Sequence, residues 1–142
     1  MIAKQLSVFI ENRQGRLGQV LEVLKKNDIN ILSLSLADTT EYGLLRLIVN
    51  DPVKGRDFLT EAGFSSVLTD VLIIKINHKA GSLQSLLTFI SDENINVEYM
   101  YGLSIDGEEA SVVLKTSDVD KACEVFKANG ISTLTSEDVA KL

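Results

Sequence analysis

Residues 12–31 read NRQGRLGQVLEVLKKNDINI and residues 78–97 read HKAGSLQSLLTFISDENINV; the fold follows from setting one above the other. Gly15 falls on Gly81, Leu17 on Leu83, Leu21 on Leu87 and Ile29-Asn30 on Ile95-Asn96, always 66 positions apart. The match extends through Val20, Leu24 and their mates Leu86 and Ile90, and upstream to Leu6, Val8 and Ile10 on Leu72, Ile74 and Ile76. A repeat this long is a whole folding unit written twice. Two domains are therefore expected, 1–69 and 70–142, each close to the smallest size that folds alone.

Outward from the shared segment, periodicity supplies the elements. Residues 4–11, KQLSVFIE, alternate as a half-buried strand does, and residues 70–77, DVLIIKIN, repeat this with apolar residues on both faces. After each glycine, apolar residues at i, i+3, i+4 and i+7 predict helices over 17–27 and 83–93. INILSLSLAD and INVEYMYGLS read as second strands, TTEYG and IDGEE as turns, LLRLIVN and ASVVLKT as third strands. Asp51-Pro52 opens a helix near 53–62, where the first turn has no use for the missing proline N–H; its counterpart over 118–129 stops at Asn129-Gly130. Phe64–Thr69 and Ile131–Thr135 then read as fourth strands, and SEDVAKL as a short terminal helix after Ser136. The order is βαββαβ twice. It predicts an α+β fold of two ferredoxin-like units, each with both helices on one face of an antiparallel sheet, because right-handed crossovers place them there. Val71 follows directly on the last strand of the first repeat, so no linker is expected between the units.

Composition narrows the function. With 45% hydrophobic and 24% charged residues, and no apolar run near the ~20 residues that a span requires, a soluble protein without membrane association is expected. The opening MIAKQLSVFIENRQG lacks the pattern of a secretory leader, which makes the cytoplasm the expected location. One cysteine, Cys123, leaves no pair for a disulfide or a Cys-x-x-Cys metal site. A net charge of −6, with 14 basic residues dispersed among 20 acidic ones, argues against a nucleic-acid partner. The inner strands of the first half hold a single aromatic, Phe9, too few for base stacking of the RNA-recognition kind. The sole histidine, His78, has no mate in the first repeat; no phosphate-binding glycine loop is present, and Gly15-x-x-Gly18 is too short for a dinucleotide fingerprint. No catalytic set, metal or cofactor is expected.

What remains is the turn before each first helix. Gly15 and Gly81 allow close backbone approach, and the N–H groups that follow lie at a helix N-terminus, a place suited to a carboxylate. A glycine there serves equally as a plain turn residue, and the residue types alone leave both uses open. Asn12 and Asn30 flank the first turn as His78 and Asn96 flank the second, and amide or imidazole groups can hold an ammonium or a carboxylate. A helix-to-strand turn explains Asn30 and Asn96 as well.

These residues, in this order, make the chain resemble a tandem pair of ACT domains, small modules that bind amino acids and regulate metabolic enzymes. The family turn commonly reads Asn or Asp, any residue, Pro, Gly, any residue, Leu. Asn12-Arg13-Gln14-Gly15-Arg16-Leu17 departs from it by glutamine for proline; His78-Lys79-Ala80-Gly81-Ser82-Leu83 keeps the glycine and leucine and departs at its first and third positions. The resemblance covers essentially the whole chain. It implies units side by side with a joined antiparallel sheet, and a free amino acid held at the seam between the turn of one unit and the second strand of its neighbour. Carried over, one site combines Asn12, Gly15, Arg16 and Leu17 with Asn96, and the other combines His78, Gly81, Ser82 and Leu83 with Asn30. Arg13, Gln14, Lys79, Ala80, Ile31 and Val97 flank these sites. The resemblance further implies allosteric regulation without catalysis, a metabolic enzyme in trans as a partner, and compatibility with a homodimer. The alternative is a ligand-free interaction module acting as a regulatory subunit, which Leu32, Leu34 and Leu36 on the second strand could support; burial of that strand on both faces, or of Tyr99 and Tyr101 in the core, explains the same residues. Acylphosphatases share the topology, but the arginine and asparagine pairing they need is not found here.

Overall fold

The alternation of KQLSVFIE becomes strand β1 (Ala3–Glu11), which turns Leu6, Val8 and Ile10 into the core. The computed structural model describes residues 2–11, 14–38, 41–77, 79–106 and 109–141; Asn12, Arg13 and His78 lie outside these. After β1 come α1 (Arg16–Lys26), β2 (Ile31–Asp38), β3 (Tyr42–Val49), α2 (Pro52–Glu61) and β4 (Ser65–Asn77). The second round continues with α3 (Ser82–Ser91), β5 (Val97–Asp106), β6 (Glu109–Thr116), α4 (Val119–Ala128) and a last short helix, α5 (Ser136–Ala140). The fold is α+β, two βαββαβ-like units. By contacts the chain divides into Lys4–Thr69 with Ala140–Leu142, and Asp70–Val139 with Met1–Ala3.

In the first unit the strand order is β2-β3-β1-β4. β1 and β3 run antiparallel with Leu6 opposite Leu47, Val8 opposite Leu45 and Ile10 opposite Gly43. Those side chains share one face, and Val20 and Leu24 of α1, Leu59 of α2 and Phe64 pack on it to close the core. The second unit repeats the plan with β4-β6-β5, Leu72 opposite Leu114, Ile74 opposite Val112 and Ile76 opposite Ala110. Leu86 and Ile90 of α3 and Ala122, Cys123 and Phe126 of α4 cover it. Each fully buried aliphatic side chain contributes about 1.5–3 kcal/mol, so these two stripes are the main source of stability. The second helices start alike: Asp51 Oδ1 accepts from the Lys54 N–H at 3.1 Å with Pro52 in the first turn, and Asp118 Oδ1 accepts from the Lys121 N–H at 3.0 Å.

Four features differ from the sequence expectation. The last strand of the first repeat and the first strand of the second are one 13-residue strand, β4, because residues 65–77 contain no glycine or proline and are rich in β-branched side chains. Ile131–Thr135 does not form a fourth strand; it makes a single antiparallel bridge, Thr133 to Ile74, supported by the Leu134 N–H donating to the Ile73 carbonyl at 2.8 Å. β2 is not buried on both faces: Leu34 and Leu36 are 52% and 47% exposed. The left-handed residues between the first helix and second strand are Asp28 (φ 57) and Asn94 (φ 59), not Asn30 and Asn96. The terminal helix forms as expected, with Thr135 and Asp138 capping each other through the Thr135 N–H (2.9 Å) and the Asp138 N–H (3.1 Å).

Candidate functional site

Both glycine turns adopt the same backbone. Gly15 has φ 87 and ψ −12, Gly81 φ 84 and ψ −11, and each caps the helix that follows. A β-carbon at either would meet nothing within 4 Å, so glycine is required by the left-handed angle and not by crowding. Neither helix has an acidic residue in its first turn or a side-chain cap. At α3 the Ser82 N–H donates to the Lys79 carbonyl at 3.2 Å, and the Ser85 N–H and hydroxyl both donate to the Gly81 carbonyl at 3.0 Å. The N–H groups of Leu83 and Gln84 have no acceptor among the described residues. An uncapped first turn with free donors carries partial positive charge, which favours an anionic group.

The residues singled out from sequence are distributed unevenly around these turns. Gln14, Lys79 and Ala80 are exposed; Leu17 is packed against the first core and Leu83 is half-buried. Arg16 turns back on its own unit: its guanidinium carbon sits 4.5 Å from the centre of the Phe64 ring, and Nη1 donates to Gln19 Oε1 at 2.7 Å. Its Nε is buried without an acceptor among the described residues. Ser82, the mate of Arg16, leaves the second turn more open. Asn30 and Asn96 are held by their backbones: the Asn30 N–H donates to Asn50 Oδ1 at 2.9 Å and its carbonyl accepts from the Asn50 N–H at 3.1 Å, while Asn96 makes the same pair with Ser117 at 3.0 and 2.8 Å. Ile31 and Val97, next along, pack into the two cores. Within one unit the glycine and the asparagine stand at opposite ends of a helix about 15 Å long and do not come together.

A cavity of about 590 Å³ opens beside the Gly81 turn inside the second unit. Its apolar lining is Ile76 of β4, Leu83 of α3, Gly102 and Leu103 of β5, and Ala110 and Val112 of β6; Asn77, Lys79, Ser104 and Ser111 supply the polar groups. Of these ten residues sequence reasoning named only Lys79 and Leu83. The missed signal was Gly102, whose mate 66 positions earlier is Leu36. A second cavity of about 440 Å³ lies on the other side of Ile76, between Ser82, Ser85 and Leu86 of α3 and Ile131-Ser132, where the fourth strand fails to form. In the first unit, a cavity of about 440 Å³ reaches Asn30 and Ile31 from Leu21 and Lys25. No cluster of histidine, cysteine and carboxylate side chains suited to a metal occurs among the described residues, and no helix there is long and apolar enough to cross a membrane.

The chain is similar to known proteins along its whole length. A family profile described as an ACT domain pair matches residues 1–142. A crystal structure of a protein from Bacteroides thetaiotaomicron shares 41% identity and superposes with a TM-score of 0.94, covering 100% of this chain and 98% of that one. The regulatory subunit of aspartate kinase from Thermus thermophilus, in its ligand-free form, is 12% identical with a TM-score of 0.62, over 89% of this chain and 95% of that one. Its counterpart from Thermus flavus is 14% identical with a TM-score of 0.58, over the same shares, 89% and 95%. Those two likenesses show the fold alone. Among curated protein sequences none matches the chain.

Proposed function

Since the chain belongs to the ACT domain pair family, we propose that it is a non-catalytic regulatory protein of the cytoplasm that binds a free amino acid at its glycine turns. The observation that carries this reading is the Gly81 turn, where two N–H groups with no acceptor among the described residues, at an uncapped helix start, lie next to a cavity with an apolar floor. The size of that cavity suits a small molecule. The N–H groups would take the carboxylate, as helix N-termini do, and the amide and imidazole groups of Asn12, His78, Asn30 and Asn96 would orient the ammonium. A metabolic enzyme in trans is the proposed recipient of the signal, in keeping with the regulatory subunits of aspartate kinase that share the fold.

The two turns differ at Asn12/His78 and Arg16/Ser82, so the proposed sites are unequal. Calorimetry across the twenty common amino acids should find at least one that binds, with Asn12→Ala and His78→Ala weakening different steps. Silence for all twenty, in heat and in thermal shift, refutes the proposal; identical isotherms for the two variants refute the inequality. Adding Asn30→Ala or Asn96→Ala to His78→Ala identifies which asparagine completes the second turn, because the true partner adds little once the turn is disabled. Exposed Leu34 and Leu36 on β2 favour a second reading, an interaction module without a ligand. Association with a partner enzyme that no amino acid alters would select it.

A further inference from the structure

We infer that only the second of the two turns has room for a ligand side chain, that this side chain is apolar, and that Gly102 is the residue that makes the room. This rests on the amino-acid reading above and narrows it.

The strand registers establish which residues correspond. In the first unit Ile10 stands opposite Gly43, and Leu36 is opposite Leu45. In the second unit Ile76 stands opposite Ala110, and Gly102 is opposite Val112. One structural position is thus Leu36 in one copy and Gly102 in the other. In the first copy it is filled: a β-carbon placed on Gly43 would lie 3.1 Å from Ile10 Cγ1 and 3.4 Å from Leu36 Cδ1, so both side chains close over that glycine. In the second copy a β-carbon placed on Gly102 would meet nothing within 4 Å, and the space beside it is the cavity of about 590 Å³.

The lining selects the occupant. Ile76, Leu83, Ala110 and Val112 offer no charge, so a charged side chain laid against them, away from Lys79 at the turn, would lose its hydration without a counter-ion, whereas an alkyl or aryl group would gain by leaving water. Polar groups suited to the amino-acid backbone lie in the same cavity. Lys79 is exposed and has no ion pair among the described residues, which leaves its ammonium for a carboxylate.

The test is calorimetry on the full chain with L-leucine, L-isoleucine and L-phenylalanine against L-aspartate and L-lysine. One apolar amino acid should bind the second turn at least tenfold more tightly than either charged one. Gly102→Ala, Gly102→Val and Gly102→Leu should weaken it stepwise with side-chain size, by about tenfold or more for leucine, while Leu36→Gly leaves it within about twofold. Should Gly102→Leu fail to fold, as judged by circular dichroism, the alanine and valine variants carry the comparison. A preference for aspartate or lysine, or apolar binding indifferent to the Gly102 series, overturns this inference and leaves the amino-acid reading standing. Absence of binding by every amino acid overturns that reading, and this inference with it.

Discussion

Replacing Thr116 by valine should make the protein more stable, and the duplicated architecture says by how much. Thr116 ends β6, is 0% exposed, and its Oγ1 is buried without a hydrogen-bond partner among the described residues. Its structural mate is Val49, which stands opposite Ile31 as Thr116 stands opposite Val97. The first unit therefore shows that this position accepts valine in the same surroundings. A buried hydroxyl left unpaired costs about 1–3 kcal/mol, and Thr116→Val removes it with almost no change of shape. For a chain of 142 residues the entropy of unfolding is about 0.3 kcal/mol/K, so the gain corresponds to a rise in Tm of roughly 3–10 °C. Urea titration should show a higher midpoint at unchanged slope, and the reverse change, Val49→Thr, should lower it by a similar amount. If Thr116→Val is neutral or destabilising while Val49→Thr is harmful, the hydroxyl has a partner, such as a buried water, and the reasoning fails.

Gly81→Ala should cost about 1–2 kcal/mol through its left-handed backbone alone, since nothing crowds the new methyl; Gly18→Ala, inside α1 and equally uncrowded, should be neutral or stabilising by up to about 1 kcal/mol. Thermal melts of the pair decide whether backbone angle or space is responsible. Asp51→Ala and Asp118→Ala should each cost about 1 kcal/mol by removing the cap on α2 or α4, with asparagine restoring most of it; equal losses in the asparagine variants would point away from capping.

The glycine turns were legible in the sequence because a positive φ at the start of a helix excludes nearly every other residue, and that restriction is written at Gly15 and again at Gly81. The cores were legible for the same kind of reason, since helix and strand periods place Leu6, Val8, Ile10, Val20 and Leu24 on facing surfaces whatever lies further away. Ile131–Thr135 has a strand's composition but makes only one bridge, Thr133 to Ile74, because a ladder needs successive residues laid in register and composition alone does not place them. Leu34 and Leu36 fitted an assembly surface and a strand buried on both faces equally well in the sequence, and only the position of β2 at the edge of the strand order exposes them. The paired asparagines follow a turn whose left-handed residues are Asp28 and Asn94, and each is a helix length from the glycine of its own unit.

By itself, then, the sequence determined two copies of one βαββαβ-like unit, the residues of their cores and the two glycine turns, because these depend on backbone preference and on periods of a few residues. That the turns differ at Asn12/His78 and Arg16/Ser82 is also written in the sequence; the tertiary structure alone decided where open space and unpaired groups distinguish the copies. Gly102 becomes a cavity only when β5 is laid beside β6, whereas Leu36 fills the equivalent place in the first unit; Thr116 becomes a liability only when neighbours seal it from water. Cavities and unpaired groups are properties of what surrounds a residue, and most of those surroundings are distant in the chain.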